Sequence, residues 1–547
     1  MKKHTFLNIP VKYFFIAKYT FSVLFSIIAL LTAKDISYSL IAITELFIIF
    51  LTSNQIIHKI KSLGQLYNSV LIFLFNSQML ILFFSSSFVT LTMLDNLSSW
   101  EALQGRAIGY GTGILLLLVF SFLPIKYVEL QPEKDYQLYK FSLVSVLLLI
   151  SGLCLNLIFV DIYGSSHSPS RALFELAQEK IEYENLKSET RRESEKMRDQ
   201  FVNDEVQNFV KKPSNLVDKP NVILIFTEGF SQHIIDDPRN VTPTVREYQK
   251  KSISFNNYYN HTFATYRGLS GQLFSSYQLE NTSRNYLVSL PQIFQEQGYQ
   301  TSFINTESEN KEFSTFLSHL GFERVINSPL TKDQKISFDK EAYNELFKQM
   351  EKQASSNQPF FISMYTFGTH VGMDGMSEKY GDGSDRVLSR FYDMDRQFKT
   401  FINKFNESKL SDNTVLVFTT DHATYVDDEY LKAFQISNRK QGNLDKIPLF
   451  IYYKNGTPET INADGRNSIN LTPTILDFLD YSGKNYFLGT SLFADKNESS
   501  IYSTIFSAEL VLKNTSSDEI SDLSDEELKQ IKGKINQYYK VAQSKLE

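Results

Sequence analysis

The chain reads as two parts: an N-terminal bundle of five transmembrane α-helices, then an α/β domain with a mostly parallel central sheet. Three observations carry this. Apolar runs of bilayer-crossing length are confined to the first ~165 residues. Short β-rich runs begin at Asn221 and alternate with helical stretches. A charged segment lies between the two regions.

The apolar runs fall at about 13–33, 37–57, 67–93, 107–126 and 140–161, each near the roughly 20 residues a membrane-crossing helix needs. The second is the most interrupted, by Glu45, Thr52, Ser53 and Asn54. Buried helices of a soluble protein are the competing reading, and stretches such as ILLLLVFSFL speak against it. With the N-terminus inside, the inner positions hold Lys2, Lys3, Lys12, Lys59, Lys61, Lys126, Lys134 and Lys140. The outer loops hold only Lys34 and Arg106. This bias places the N-terminus inside and, after five crossings, everything beyond residue ~162 on the extracytoplasmic face of the cytoplasmic membrane. The 547-residue chain has net charge −6 and one cysteine, Cys154. A nucleic-acid partner is not suggested, and an intrachain disulfide or a cysteine-based metal site is excluded.

Four regions follow: 1–165 transmembrane, 166–220 juxtamembrane helix and linker, 221–500 catalytic, and 501–547 an acidic C-terminal tail with a surface helix from Ser524. Ser168-Pro169 has the form of a helix start, and the juxtamembrane helix is expected to run to near Val210. In the catalytic region NVILIF, FFISMYTF and NTVLVFTTD read as buried strands, with helices at YLVSLPQIFQEQGY and FDKEAYNELFKQMEKQ.

Ligands of such sheets gather at the C-terminal strand ends. There the chain places Glu228, then Thr369-His370, then Asp421-His422. Carboxylates with an imidazole suit a divalent metal. Singly, each has a plainer reading: an acid at a helix N-terminus, an N-cap, a satisfied polar side chain. Their shared position at strand ends favours a common site. A fourth element, HTFATYRGLSG at 261–271, puts a threonine and an arginine near a helix start, where anions are favoured. Thr265 there reads as an activated nucleophile for phosphoryl transfer and Arg267 as a phosphate-holding group, against a capping Thr and a surface Arg.

With these residues in view, the chain resembles the alkaline phosphatase superfamily. It is similar in particular to the sulfatase-like group of lipoteichoic acid synthases and phosphoethanolamine transferases. The resemblance spans about 221–495 and rests on NVILIFTEGFS, NVTPTVREY, SISFNNYYNHTFATYRG, SLPQIFQEQGYQTSFIN, FGTH, VFTTDHATY, IPLFIYYKN and NLTPTILDFLD, in the family's order. It implies an alkaline-phosphatase-like fold, Thr265 as nucleophile, and Glu228, Thr265, Asp421 and His422 as metal ligands. It implies His370 as a substrate-phosphate ligand and one divalent ion, manganese, with zinc or magnesium as alternatives.

The departures narrow the expectation. Thr265 followed by Tyr266-Arg267 does not suit a formylglycine sulfatase. DMDRQF at 393–398 lacks the following His that a second metal would use, and the cysteines of the phosphoethanolamine branch are absent. The function expected is a metal-dependent transferase. It moves phosphoglycerol, in preference to phosphoethanolamine, from phosphatidylglycerol or phosphatidylethanolamine through a phospho-threonine to an envelope glycan or glycolipid. The alternatives are a phosphodiester or phosphate-ester hydrolase of the same superfamily and a non-catalytic, membrane-tethered binding protein.

Overall fold

The computed structural model describes residues 11–33, 37–85, 107–127, 197–281, 284–330, 337–356, 358–434, 444–495, 501–505, 510–514 and 520–544, with a few short stretches between 88 and 181. The chain divides into two compact units, residues 1–97 with 106–184, and residues 98–105 with 185–547.

In the first unit four of the five apolar runs are helices: Val11–Ala33, Ser37–Lys59, Lys61–Ser85 and Ala107–Ser121. Among the described residues two of them, over Ile41–Lys59 and Lys61–Phe83, are long and apolar enough to cross a membrane; Phe14–Ile28 and Gly109–Ser121 are shorter apolar stretches. The expectation of five full spans is reduced accordingly, and the run at 140–161 lies outside the described residues. Several polar side chains of these helices are turned inward and bonded across from one helix to another. Asn68 Nδ2 donates to Tyr19 Oη at 2.6 Å and to Ser53 Oγ at 3.1 Å, and Asn76 Nδ2 donates to Ser121 Oγ at 3.0 Å. An apolar exterior with bonded polar groups inside is what a lipid surrounding requires. It explains why Ser53 does not break the second run.

The second unit is built on an eight-stranded sheet. The strands are β1 Asn221–Thr227, β2 Ile253–Asn256, β3 Gln300–Asn305, β4 Arg324–Asn327, β5 Phe360–Tyr365, β6 Thr414–Thr420, β7 Phe450–Tyr452 and β8 Glu459–Asn462. Their order is β4-β3-β5-β1-β6-β7-β2-β8. Pairing is parallel throughout except at β7, which runs antiparallel to β6 and β2. Central β1 shows why its sequence is uniformly apolar. Val222, Leu224 and Phe226 enter the core on one face of the sheet, and Ile223 and Ile225 enter the core on the other. Both faces are covered by helices, as parallel sheets demand.

Two expectations about the flanks are corrected. The juxtamembrane helix does not reach Val210: helical geometry ends at Arg198, and 202–220 is irregular. That segment is held by side chains instead, with the Phe209 and Val210 N–H groups donating to Asp477 Oδ1 at 2.8 and 3.1 Å. Such bonds let a segment rich in Asn, Lys and Pro satisfy its backbone without a helix. The region beyond 500 is more than a tail. β9 Tyr502–Ile505, β10 Leu510–Asn514 and β11 Ile520–Ser521 form an antiparallel sheet. The expected terminal helix, Asp525–Gln543, is capped by Ser524 and buries Ile535, Tyr538 and Val541. Its apolar face packs on Leu287, so it belongs to the second unit's core.

Candidate active site

The topology puts the C-terminal ends of β5, β1 and β6 side by side, with Phe226 in register with Tyr365 and Thr227 with Thr420. Residues leaving these three ends therefore meet. One ligand atom each from Glu228, Asp421 and His422 lies within 4.8 Å of the others, and all three residues are buried. Thr265 joins them from a separate element, its Oγ1 donating to Glu228 Oε2 at 3.1 Å.

Each of the three candidate ligands has one polar atom secured by the protein and another presented to the centre. Asp421 Oδ1 accepts from the N–H groups of Gly229 (2.8 Å) and His422 (2.7 Å). His422 Nδ1 donates to the Ala423 carbonyl at 2.7 Å. Glu228 Oε2 takes the Tyr365 hydroxyl at 2.5 Å as well as Thr265. The inward atoms are then Glu228 Oε1 and Asp421 Oδ2, at 3.5 and 3.4 Å from His422 Nε2. Asp421 Oδ2 makes no hydrogen bond among the described residues. Two carboxylate oxygens and an imidazole nitrogen converging in a buried pocket are a donor set for a divalent cation, and hydrogen bonds behind the ligands are its usual support. The residues present therefore fit the implied metal.

The electrostatics agree. Burial pushes the Asp421 carboxyl well above the ordinary range, and the neighbouring Glu228 charge raises it further. Burial opposes ionisation of Glu228 too, but the His422 and His370 imidazoles and the Tyr365 hydroxyl outweigh it and hold Glu228 below the ordinary range. Two buried carboxylates divided in this way are a pair that a cation would ionise together.

Close packing explains two glycines. Gly229 has φ +44°, and a Cβ there would meet His422 Cε1 at 3.4 Å. Gly268 lets the helix Thr265–Phe274 approach β6 so closely that a Cβ would lie 2.3 Å from the Asp421 carbonyl oxygen. That approach delivers Thr265 to Glu228. Thr265 is the first residue of its helix, preceded by Ala264 at φ 85°, ψ 144°. This backbone conformation is costly for an L-residue, and it persists where surroundings over-determine it. Here the Gly268 N–H binds the Ala264 carbonyl at 2.9 Å, and Arg267 Nη2 donates to the Phe263 carbonyl at 3.2 Å. His261 just upstream is fully buried, and its burial lowers the imidazole to about 3, so the ring is neutral. Its N–H donates to Ser468 Oγ at 2.9 Å, and its carbonyl accepts the Thr504 N–H of β9 at 2.7 Å.

The structure thus brings together Glu228, Thr265, Asp421 and His422. His370 stands beside them, half-buried and close enough for its imidazole to favour the Glu228 charge. Its ring stacks on Phe367 with centroids 4.6 Å apart, and its Nδ1 donates to the Val371 carbonyl at 3.0 Å. Arg267 differs from the surface arginine of the plainer reading: it is fully buried against the turn that precedes Thr265. Sequence reasoning missed Tyr365; it named Thr369 beside His370 without a role, and the Thr369 hydroxyl donates to the Glu228 carbonyl at 2.5 Å. It missed Phe263, whose ring lies 4.7 Å from that of His422. Tyr365 closes the strand that leads to Thr369 and His370, a position from which it could have been found.

Known proteins resemble the part of the chain that carries these residues. Residues 220–481 match the family described as Sulfatase. Phosphoglycerol transferase I of Escherichia coli O127:H6 is 24% identical over 341 residues, 54% of this chain and 42% of the relative. The Escherichia fergusonii protein of the same name is 24% identical over 345 residues, with the same two coverages. The chain thus aligns with less than half the length of these curated relatives. Among solved structures, an alkaline phosphatase superfamily protein from Vibrio parahaemolyticus superposes with TM-score 0.49 at 18% identity, covering 62% of this chain and 88% of that one. Lipoteichoic acid synthase LtaP from Listeria monocytogenes gives 0.48 at 17%, covering 64% and 96%. The segment that matches the Sulfatase model contains β1 to β8 and every residue of the site.

Proposed function

We propose that the protein is a metal-dependent phosphotransferase of the alkaline phosphatase superfamily. It moves the phosphoglycerol headgroup of a membrane phospholipid to a hydroxyl of an envelope glycan or glycolipid, on the extracytoplasmic face of the membrane. The observation that carries this reading is the placing of Thr265 on Glu228 at a helix start, inside a buried Glu-Asp-His donor set. A hydroxyl in that position serves as a nucleophile, whereas a sulfate-ester hydrolase of this family would use a modified Cys or Ser. The phosphoglycerol transferase name of the relatives supports glycerol over ethanolamine. The apolar helices support a lipid donor, since an anchored domain meets headgroups at the bilayer surface.

Glu228, Asp421, His422 and Thr265 would hold the metal, manganese in this proposal. When bound it lowers the pKa of the hydroxyl and offsets charge on the phosphate oxygens. The chain's own residues do the rest. Thr265 Oγ1 gives up its proton and attacks the phosphorus of the donor's phosphodiester. The bond from phosphorus to the diacylglycerol oxygen breaks, and diacylglycerol leaves with a proton. A glycerophosphoryl-threonine diester remains. The acceptor hydroxyl attacks the same phosphorus, loses its proton, and returns Thr265 as the free hydroxyl. His370 gives its Nδ1–H to the Val371 carbonyl, so its Nε2 would donate to a phosphate oxygen only as the imidazolium, a form that the phosphate charge favours against burial. Arg267 serves by bracing the nucleophile turn through Phe263.

Thr265→Ala in the membrane-embedded protein, supplied with phosphatidylglycerol, tests the reading. Loss of both diacylglycerol release and glycan modification is expected, with the melting temperature retained. Unchanged diacylglycerol release would overturn it. Release of free glycerol phosphate without any modified acceptor would identify a hydrolase instead.

A further inference from the structure

Glu228 differs from its two partners in how it is held. Asp421 Oδ1 is fixed by two main-chain N–H groups, and His422 Nδ1 by a main-chain carbonyl. These anchors stay in place through a reaction. Glu228 Oε2 is fixed by two side-chain hydroxyls, Tyr365 at 2.5 Å and Thr265 at 3.1 Å. One of these is the proposed nucleophile. Once Thr265 has lost its proton or bonded to phosphorus, it no longer donates to Glu228. Among the described residues, Tyr365 is then the remaining hydroxyl that donates to Oε2.

Tyr365 is built for the task. It ends β5, in register with Phe226 two residues before Glu228. Its ring is 1% exposed and packs on Phe313 with centroids 5.6 Å apart. The hydroxyl therefore reaches Glu228 from a rigid strand, with no free rotation of the ring position. The Thr369 hydroxyl holds the Glu228 main-chain carbonyl from the same β5 exit. Backbone and side chain of Glu228 are thus both tied to one strand end.

We infer that Tyr365 is a positioning residue. Its hydroxyl occupies Oε2 of Glu228 throughout the cycle and keeps Oε1 turned toward His422 and Asp421 while Thr265 is engaged in chemistry. This rests on the metal-site reading above and goes beyond it, because it gives a non-ligand the task of holding a ligand during turnover. It accounts for a buried phenol donating to a buried carboxylate at the centre of the site, where a phenylalanine would fill the same volume.

The test is Tyr365→Phe in the full-length protein in detergent. Three quantities are read: manganese affinity by calorimetry after chelator treatment, melting temperature in chelator, and diacylglycerol release at saturating manganese. Hydrogen bonds behind metal ligands are typically worth about 10–100-fold in affinity or activity. Manganese binding weakened about tenfold or more is expected, with the chelated melting temperature close to wild type and a turnover deficit that persists at saturating metal. Glu228→Gln is the control background: Tyr365→Phe added to it should cause no further loss of manganese affinity. Manganese affinity and turnover within about twofold of wild type in the single variant would overturn the inference and leave the metal reading standing. An equal drop in affinity in both backgrounds would overturn it as well, as a general packing defect. Wild-type protein that binds no manganese would overturn the metal reading itself and this inference with it.

Discussion

Replacing Ala264 with glycine should make the second unit more stable while making the enzyme slower. Ala264 sits at φ 85°, ψ 144°, immediately before Thr265. An L-residue held in such a sparsely populated region costs on the order of 1–3 kcal/mol, whereas glycine adopts it freely. Glycine also loses more backbone entropy on folding, about 0.5–1 kcal/mol. The alanine methyl leaves no large cavity, so the net expectation is stabilisation of roughly 0.5–2 kcal/mol. Urea unfolding followed by near-UV circular dichroism, which reads the tyrosine-rich domain, gives the change as a shift of midpoint at constant slope. The same freedom lets the turn leave the conformation that delivers Thr265 to Glu228, so diacylglycerol release should fall severalfold with little change in KM. The contacts around the turn, from Ser468 to His261 and from Arg267 to Phe263, remain in the variant. A midpoint that is unchanged or lower would refute the strain argument. A raised midpoint with full activity would show that the strain does not serve Thr265.

Further outcomes follow from the same geometry. Gly268→Ala should be poorly tolerated, since its Cβ would fall 2.3 Å from the Asp421 carbonyl oxygen; a loss of about 1–3 kcal/mol is expected from overpacking and is measurable in the same unfolding assay. Asp421→Asn should abolish manganese binding by calorimetry yet raise the melting temperature in chelator, because it removes a carboxyl whose ionisation burial and the Glu228 charge both oppose, and with it the cost of holding a proton there. Asp339 accepts the Gly368 N–H at 2.9 Å behind the loop carrying His370; burial raises it to about 7, aided by the charges of Asp393 and Glu341. The folded state therefore binds a proton that the unfolded chain, with a carboxyl near 3.9, releases; stability should fall as pH rises from about 4 to 7. Asp339→Asn keeps an acceptor for Gly368 and should flatten that slope, and an unaltered slope by urea titration would contradict the assignment. His370→Ala should lower turnover about 10²–10³-fold with manganese affinity retained, as expected for loss of an imidazolium donor to developing phosphate charge; parallel loss of metal would place it among the ligands.

How much was legible in the sequence depended on whether a residue's task is local. The strands β1, β5 and β6 are continuous apolar runs because both faces of the sheet are covered, and a run of that kind can be read directly. Glu228, Asp421 and His422 were legible because strand ends are where a parallel sheet gathers its site. Thr265 was legible from its place before a helix. Tyr365 was not, since a tyrosine at the end of an apolar strand reads as core until the pairing of β1 with β5 places it over Glu228. The helix expected to continue to Val210 failed for a similar reason. Asp477, more than 260 positions away, satisfies that backbone, and local propensity cannot report it. The sheet β9 to β11 escaped notice because its strands are short, and it matters through long-range contacts such as Thr504 with His261. In the first unit, Ser53, one of the residues that interrupts the second apolar run, accepts from Asn68 of the next helix, so that interruption is part of the packing.

The central claim is that Thr265 carries the transferred group. Rapid acid quenching of the full-length protein turning over phosphatidylglycerol with manganese, followed by tandem mass spectrometry of the peptide spanning 261–271, addresses it most directly. A glycerophosphoryl group on Thr265, absent in Thr265→Ala and discharged when acceptor glycan is added, is the result expected. Diacylglycerol release without any adduct on Thr265, or an adduct on another side chain, would contradict the account.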